Sequence, residues 1–167
     1  MPTIPEPLLR QDYAGLNSAE SDILRQYLRD QDLTVERLQT QIKVAPGELA
    51  PESRPDALRR QWRESSKFKI DAVVTTSSEV QLIELKDLAR TSALGQLLCY
   101  RYWYELERDP QKPLSLHCAC PEVNPGAVQP YRFNGVEIHP QTAEGREHFR
   151  QGLEASPPFT GLQPNSR

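Results

Sequence analysis

The segment Phe68–Lys86, FKIDAVVTTSSEVQLIELK, decides the expected fold of this chain. Residues Phe68 to Thr75 are rich in apolar and β-branched side chains, Thr76 to Ser78 are typical of a turn, and Glu79 to Leu85 form a second apolar run. Two such runs separated by a short polar turn predict an antiparallel β-hairpin.

Three charged residues interrupt this apolar hairpin. Asp71 lies inside the first strand, and Glu84 and Lys86 lie at the end of the second. Strand alternation puts Glu84 and Lys86 on one face, and pairing across the turn can bring Asp71 level with Glu84. Charges among Val, Ile and Leu are costly unless they pair or hold a cation. Two close carboxylates suit Mg²⁺ or Mn²⁺, and a lysine beside them can orient water and balance phosphate charge. An ordinary salt bridge at a strand end is the alternative.

A long helix is expected directly after the hairpin. Thr91 or Ser92 is expected to cap it, and it ends near Arg108. Its apolar residues lie around much of its circumference, which predicts a well-buried helix. Gln96 and Tyr100 are four residues apart and therefore project from one face. Gln96 can bond a water or metal ligand and Tyr100 can contact a phosphate or base; the alternatives are a surface amide and a core aromatic.

Periodicity and capping signals also predict elements before and after this region. In chain order they are a helix from Asn17 or Ser18 to about Asp30, a half-buried strand Leu38–Val44 alternating with Gln39, Gln41 and Lys43, a short helix within 46–66, an interior strand Leu114–Cys120, a short strand Val136–Ile138 and a weak helix Thr142–Leu153. A helix that connects a hairpin to a later buried strand implies a mixed sheet with helices on its faces, so the predicted fold class is α/β. We expect an N-terminal arm at 1–16, one folded domain at 17–154 and a C-terminal tail at 155–167.

Composition limits the class of protein. The 167 residues are 37% hydrophobic and 26% charged, with a mean hydropathy of −0.65, which fits one domain with irregular ends. No apolar run approaches the roughly 20 residues that span a bilayer, and Met1 to Arg10 lacks the pattern of a signal peptide. The three cysteines form no CxxC pair, which favours a reducing compartment. We therefore expect a soluble, cytoplasmic protein without a membrane partner.

The run His117-Cys118-Ala119-Cys120 contains residue types that bind zinc. Alternation places Cys118 and Cys120 on one face of a strand and His117 on the other. A zinc site would need a fourth ligand and a different spacing. A buried strand is the favoured interpretation, because free cysteine behaves as a small apolar residue.

The charge pattern limits how the chain could contact nucleic acid. The net charge is −3 and the isoelectric point is near 5.7, so any such contact must come from a local patch. From Ser53 to Lys69 there are six basic residues against two acidic ones, with Trp62 among them. A solvated charged helix and a phosphate-contacting patch both stay open as interpretations. The candidate DNA-binding residues are Arg59, Arg60, Arg63, Lys67 and Lys69.

Three short motifs together resemble a known family. Ile70–Val74, Ile83–Lys86 and Gly95–Tyr100 resemble the PD-(D/E)XK nuclease superfamily, most closely its RecB-type exonuclease branch and related short phage proteins. The predicted order of helix, three strands, helix and strand is also similar to the restriction-endonuclease-like core of that superfamily. Ile70 stands where the motif has proline, and the three cysteines do not match the four-cysteine iron–sulfur site of some relatives.

The resemblance implies a role for each matching position. Asp71 and Glu84 would bind metal with the Leu85 carbonyl, and Lys86 would be the catalytic lysine. Gln96 and Tyr100 would match the Q-x-x-x-Y motif of the RecB-type branch and complete the catalytic set. Glu20 is the candidate acid of the first helix and a further metal ligand.

The resulting hypothesis is a DNA nuclease that uses Mg²⁺ (or Mn²⁺) to hydrolyse phosphodiester bonds. The resemblance implies a phage- or prokaryote-encoded protein acting in the host cytoplasm or carried in a virion. DNA is the expected partner, with other phage structural proteins or a second copy of the chain as further candidates. The alternative is a non-catalytic structural or adaptor protein of a phage particle on the same fold, and a small regulator that binds a protein is a third class. Retention of the whole candidate set favours activity, because a structural role does not require it.

Overall fold

A computed structural model describes residues 6–9, 12–31, 33–48 and 51–155 of the chain. The α-helices in these ranges are α1 Ser18–Asp30, α2 Asp56–Ser65, α3 Thr91–Arg108, α4 Val128–Phe133 and α5 Ala143–Glu154, and short 3₁₀-helices lie at Glu6–Leu9 and Pro125–Ala127. The strands are β1 Val35–Val44, β2 Phe68–Thr76, β3 Val80–Leu85, β4 Leu88–Ala89, β5 Leu114–Cys120, β6 Glu122–Val123 and β7 Val136–Pro140.

Five of the strands form one mixed sheet in the order β1-β2-β3-β5-β7. Strand β2 pairs antiparallel with β1 on one side and with β3 on the other, with Ala72 opposite Ile83 and Val73 opposite Leu82, whereas β3, β5 and β7 are parallel. Strands β4 and β6 form a small parallel pair beside it. The predicted α/β class, the mixed sheet flanked by helices, the hairpin and the interior position of β5 are confirmed, and α2 is inserted between the first and second strands of the predicted order of helix, three strands, helix and strand.

Each face of the sheet packs against its own helices. One core joins Leu82, Cys118 and Cys120 to α3, α4 and α5, and the other joins Ile83 and Ala119 to α1. Neighbouring residues of β3 and β5 therefore serve opposite cores, as the twofold period of a strand requires. The predicted separation of His117 from the two cysteines is confirmed by this alternation.

Helix α1 forms as its sequence predicts. Asn17 is the N-cap: its side chain accepts a bond from the Glu20 amide at 2.9 Å, and Glu20 accepts one from the Asn17 amide at 2.9 Å. Such a reciprocal pair satisfies amides that the first turn leaves without partners. The apolar stripe of α1 is buried against the sheet, including Ile23, Leu24 and Tyr27.

The expectations for α3 were wrong in two respects. Arg90 occupies the N-cap without a side-chain hydrogen bond, so neither Thr91 nor Ser92 caps the helix. Its circumference is not buried throughout, since Tyr102 is 61% exposed and Leu106 63% exposed. Helix α3 lies as an outer layer on one face of the sheet, so only one of its sides can be covered.

The connection from β1 to β2 carries α2 on the outside of the molecule. None of the ten residues of α2, all of which the structure describes, is buried. Gly47 links β1 to this helix with φ of 76°, and a Cβ there would lie 2.0 Å from the Arg63 carbonyl oxygen. Glycine is therefore required where the chain leaves β1 and α2 approaches it.

The ends of the chain bear on the predicted domain limits. Within 1–16, Tyr13 is buried and its hydroxyl donates to the Leu8 carbonyl at 2.6 Å. Positions 156–167 of the expected tail lie outside the described residues, and the boundaries at 16/17 and 154/155 stay predictions. No helix in the described part is long and apolar enough to cross a membrane.

Candidate active site

The end of the hairpin brings Asp71, Glu84 and Lys86 together. The Leu85 amide donates to Asp71 Oδ2 at 2.9 Å, which fixes that carboxylate beside the end of β3. Lys86 Nζ lies 2.5 Å from Glu84 Oε1. Two carboxylates and an ammonium thus share one end of the sheet, the arrangement that strand alternation and hairpin pairing predicted.

Glu84 is the most unusual group of this cluster. Its side chain is 1% exposed, and neither of its carboxylate oxygens has a hydrogen bond of regular geometry among the described residues. Burial, and then the negative charge of Asp71, raises the pKa of Glu84 to about 7. The compensating contact is the ion pair with Lys86. A buried carboxylate whose second oxygen lies outside the ion pair is a ready ligand for a cation.

Asp71 is held in place from both neighbouring strands. Burial raises its pKa, while the hydrogen bond from the Leu85 amide and the charge of Lys86 act against that rise. Gln41 Nε2 on β1 donates to Asp71 Oδ1 at 3.2 Å. Gln41 has φ of 54°, in the left-handed region, and a Cβ on Gly15 would lie 2.7 Å from its Cγ.

Gln41 is a site residue that sequence reasoning missed. The alternation of β1 grouped it with polar residues facing away from the core, whereas its side chain is half-buried against Asp71. A left-handed glutamine inside a strand leaves no signal in the pattern of apolar residues. Gly15, which leaves room for the side chain, was assigned to the N-terminal arm.

Lys86 faces both the carboxylates and an opening to the surface. Burial by itself would lower its pKa, but the close ion pair with Glu84 outweighs burial and raises it. The ammonium therefore stays protonated over the neutral range. A polar cavity of about 130 Å³ separates the start of α1 from the end of β3, and Asn17, Glu20 and Lys86 line it.

Glu20 lies near the cluster but has another structural role. Its charge contributes to raising the pKa of Asp71, and its side chain lines the same cavity as Lys86. Its carboxylate also accepts the capping bond from the Asn17 amide. The position predicted for a first-helix acid is therefore at the site, with one oxygen engaged in capping α1.

Helix α3 positions Gln96 and Tyr100 beside the cluster of Asp71, Glu84 and Lys86. Gln96 Nε2 donates to the Tyr100 hydroxyl at 3.4 Å, so both side chains lie on one face of the helix. Tyr100 is 2% exposed, and burial followed by the charges of Glu84 and Asp71 raises its pKa well above the ordinary value. Its hydroxyl is thus a donor next to the carboxylates.

The basic residues lie on the segment that leads into this end of the sheet. Arg59, Arg60 and Arg63 are on α2, Lys67 follows it, and Lys69 is the second residue of β2. Two of the five are paired: Arg59 with Asp56 at 3.5 Å, and Lys67 with Glu64 at 2.8 Å. Within the described ranges, the other three form no ion pair. Because α2 ends where β2 begins, these cations lie at the end of β2 that carries Asp71.

Two further groups of described residues have ligand types and spacings that could hold a metal ion. One combines His117, Glu137 and His139, and the other combines Glu122, Glu144 and His148. The first uses the histidine that the sequence assigned to a buried strand. Its Cys118 and Cys120 neighbours take no part, because they face the opposite core.

Comparison with known proteins gives only distant similarity. No protein-family model matches the chain, and no curated protein matches it significantly. A repair endonuclease from Pyrococcus abyssi is 14% identical with a TM-score of 0.44, covering 81% of this chain and 50% of that one. The EndoMS–dsDNA2 complex is 16% identical with a TM-score of 0.42, covering 81% of this chain and 49% of that one. The chain thus spans about half the length of these two structures, and the geometry of the site, rather than this similarity, supports the assignment of function.

Proposed function

We propose that this chain is a metal-dependent nuclease that hydrolyses phosphodiester bonds in DNA. The observation that carries the proposal is Glu84, a carboxylate buried beside Asp71 whose Oε1 pairs with Lys86 and whose Oε2 has no hydrogen bond among the described residues. One ammonium cannot balance two neighbouring buried carboxylates, Glu84 and Asp71, so a further cation or a proton would stabilise the folded chain.

The residues of the site fit Mg²⁺ (or Mn²⁺). Asp71, Glu84 and the Leu85 carbonyl would hold it. Glu20 would become a further ligand if its carboxylate gave up the hydrogen bond from the Asn17 amide. All of these ligand atoms are oxygens, and hard ions such as Mg²⁺ prefer oxygen ligands. When bound, the ion would neutralise phosphate charge and make a coordinated water more acidic.

The chain's own side chains have defined tasks in this proposal. Lys86 keeps its proton and donates from Nζ to a phosphate oxygen or to the attacking water. The Tyr100 hydroxyl, held by Gln96, donates toward the neighbouring carboxylates. Its buried ring limits the entry of bulk water into the site. Gln41 and the Leu85 amide keep Asp71 in one orientation.

DNA would reach the site along α2. Arg60, Arg63 and Lys69 form no ion pair within the described part of the chain, so they are available for phosphates, and Arg59 and Lys67 are at the same end of the sheet. Such a local basic patch can bind the phosphate backbone even though the net charge of the whole chain is negative. The RecB-type branch, a phage or prokaryotic origin, the cytoplasmic or virion location and a second copy of the chain as partner stay predictions.

A cleavage assay tests the proposal. Linear, circular and single-stranded DNA are incubated with the full chain and Mg²⁺, Mn²⁺ or EDTA, beside Lys86→Ala and Asp71→Asn. We expect metal-dependent cutting that falls by about 100-fold or more in both variants, since each removes a group that acts on the reacting phosphate.

The matched control is Lys112→Gln. Lys112 pairs with Glu36 at 2.8 Å and bonds the Thr76 carbonyl, at the far end of β2. This variant should cut DNA at the wild-type rate. Cutting that survives Lys86→Ala, or that continues in EDTA, would overturn the mechanism, and no cutting under any condition would favour the adaptor alternative.

A further inference from the structure

A second polar cluster lies on the other face of the sheet. His117 is on β5, and Glu137 and His139 are on β7, with His117 directly opposite Glu137 in the parallel ladder. The imidazoles contact Tyr27 of α1, whereas Glu84 faces the core built on α3. The cluster is therefore separate from the candidate active site.

Three ligand atoms of this cluster form a compact triangle. His117 Nδ1 and His139 Nε2 are 2.9 Å apart, and Glu137 Oε2 is 3.8 Å from each of them. A point equidistant from the three atoms lies about 2.1 Å from each, the bond length of zinc to imidazole nitrogen and carboxylate oxygen. Backbone pairing of β5 with β7 sets this spacing, so the triangle is largely preformed.

Each imidazole also has a partner for its other nitrogen. His117 Nε2 is 2.8 Å from Ser115 Oγ, and His139 Nδ1 is 3.2 Å from the Gln31 side-chain amide. Metal-binding histidines almost always donate their second N–H to an acceptor, which fixes the tautomer and the ring orientation; the Ser115 hydroxyl can accept as it stands, and the Gln31 amide can accept once its oxygen faces the ring. The rings of Tyr27 and His139 lie nearly perpendicular to each other with centroids 4.9 Å apart, and this contact limits ring rotation further.

We propose that His117, His139 and Glu137 form a second metal site, for a divalent transition-metal ion with zinc as the best fit. Binding replaces the hydrogen bond between the two rings. The proton between them moves to His139 Nδ1, where the Gln31 amide accepts it through its oxygen after turning over. Two nitrogen ligands favour zinc over Mg²⁺.

The surroundings leave this site accessible. The Glu137 side chain is 68% exposed and the His139 side chain 17% exposed. A surface cavity of about 370 Å³, which His139 lines with Tyr27 and Gln31, provides a path from solvent. A fourth position would thus be open to water or to an exogenous ligand.

The group of Glu122, Glu144 and His148 is a weaker candidate. It offers a single imidazole, and Glu122 is already engaged by Thr142 Oγ1 at 2.6 Å and by His148 at 3.5 Å. It provides a matched control, because it combines the same residue types without the preformed pair of imidazoles.

The test is a metal titration of the full chain carrying Cys99→Ser, which removes the exposed thiol. Zn²⁺ binding is followed by calorimetry in excess Mg²⁺, and Co²⁺ binding by its visible absorption. We expect one equivalent to bind, Glu137→Gln to weaken binding at least about tenfold, and His139→Asn to abolish it. His148→Asn and Glu84→Gln should bind as the parent does.

Glu137→Gln keeps the test informative if the histidine variant fails to fold, because its side chain is mostly exposed. Absence of zinc binding by the parent would overturn the proposal. So would parental affinity in both Glu137→Gln and His139→Asn. Binding abolished only in His148→Asn, or only in Glu84→Gln, would assign the ion to one of the other clusters and equally refute the site.

Discussion

At the scale of single residues, Glu84 is where stability and the proposed activity conflict. Its carboxylate is buried with the charge of Lys86 on one side and the charge of Asp71 nearby. An apolar or neutral residue in its place would suit the core better. Retention of a charge at such a position is typical of functional sites, where groups with shifted pKa values concentrate.

This conflict predicts the effect of Glu84→Gln on the metal-free protein. Removing the buried charge while keeping the shape should raise the free energy of unfolding by about 1–3 kcal/mol, since Lys86 can still reach solvent. The measurement is thermal unfolding at pH 8 in EDTA, with Glu105→Gln on the exposed side of α3 as control. Added Mg²⁺ should stabilise the parent and not Glu84→Gln. A lower unfolding temperature for Glu84→Gln would contradict this account of the site.

The proximity of the charged residues at the centre of the site could be predicted from the sequence. The residues that hold them in position could not. Asp71, Glu84 and Lys86 follow from strand alternation and one hairpin register, both of which are local properties of the sequence. Gln41 could not be found, because its role depends on a left-handed backbone conformation. Glu137 and His139 could not be joined to His117, because a parallel pairing across a long connection has no local signal.

At the scale of elements, α2 is distinguished by having no buried residue among the ten that the structure describes. A helix that packs so little contributes little to the core, so its sequence is free to serve another purpose. Its cations at the end of β2 suit contact with a phosphate backbone.

We therefore expect Arg60→Gln with Arg63→Gln to weaken duplex binding and to lower its salt dependence. Removing one cation that binds a phosphate reduces the slope of log affinity against log salt by about 0.9. Fluorescence anisotropy between low and moderate salt measures both quantities. Arg150→Gln, which removes an exposed cation paired with Glu147 and Glu154 on α5, should leave the slope unchanged. An unaltered slope in the double variant would show that α2 is only a solvated charged helix.

The secondary-structure elements could be predicted where the apolar periodicity of the sequence extends over several repeats. Helix α1 and the β2–β3 hairpin repeat their apolar period several times, and β5 is a continuous apolar run. Strands β4 and β6, of two residues each, are too short to show a period. The exposed side of α3 was missed because apolar residues such as Tyr102 and Leu106 do not reveal which of them the sheet will cover.

At the scale of the whole molecule, the two buried imidazoles make stability depend on pH. Burial, assisted by the charge of His139, lowers the pKa of His117 to about 4, and burial lowers that of His139 to about 4. Glu79 and Asp30 oppose these shifts, and Glu137 lies 3.8 Å from both rings.

The unfolded chain binds more protons than the folded one between about pH 4 and pH 6.5, where free histidine titrates. The contribution of the two imidazoles to the free energy of unfolding is therefore fully present above about pH 6.5. It is lost as the pH falls toward 4, and the loss is on the order of 3 kcal/mol for each ring. Urea unfolding in EDTA across this range should show a shallower pH profile for His139→Asn than for the parent. Glu84, whose pKa is raised, acts in the opposite sense, so the comparison between variants is the informative quantity. His148→Asn should keep the parental profile, and a parental profile for His139→Asn would refute this account.

The mixed pairing of the sheet also has a consequence for the order of folding. Strands β2 and β3 are joined by a short turn, whereas β5 is connected to β3 through the long helix α3. Pairings between residues near in the chain form before those that close long loops. We therefore expect Glu84 to stay hydrated while the hairpin forms and to lose that water when α3 and β5 dock on β3. On this topology we expect the cost of enclosing its charge to fall in the later step, so that uptake of a proton or cation by Glu84 should favour docking more than hairpin formation.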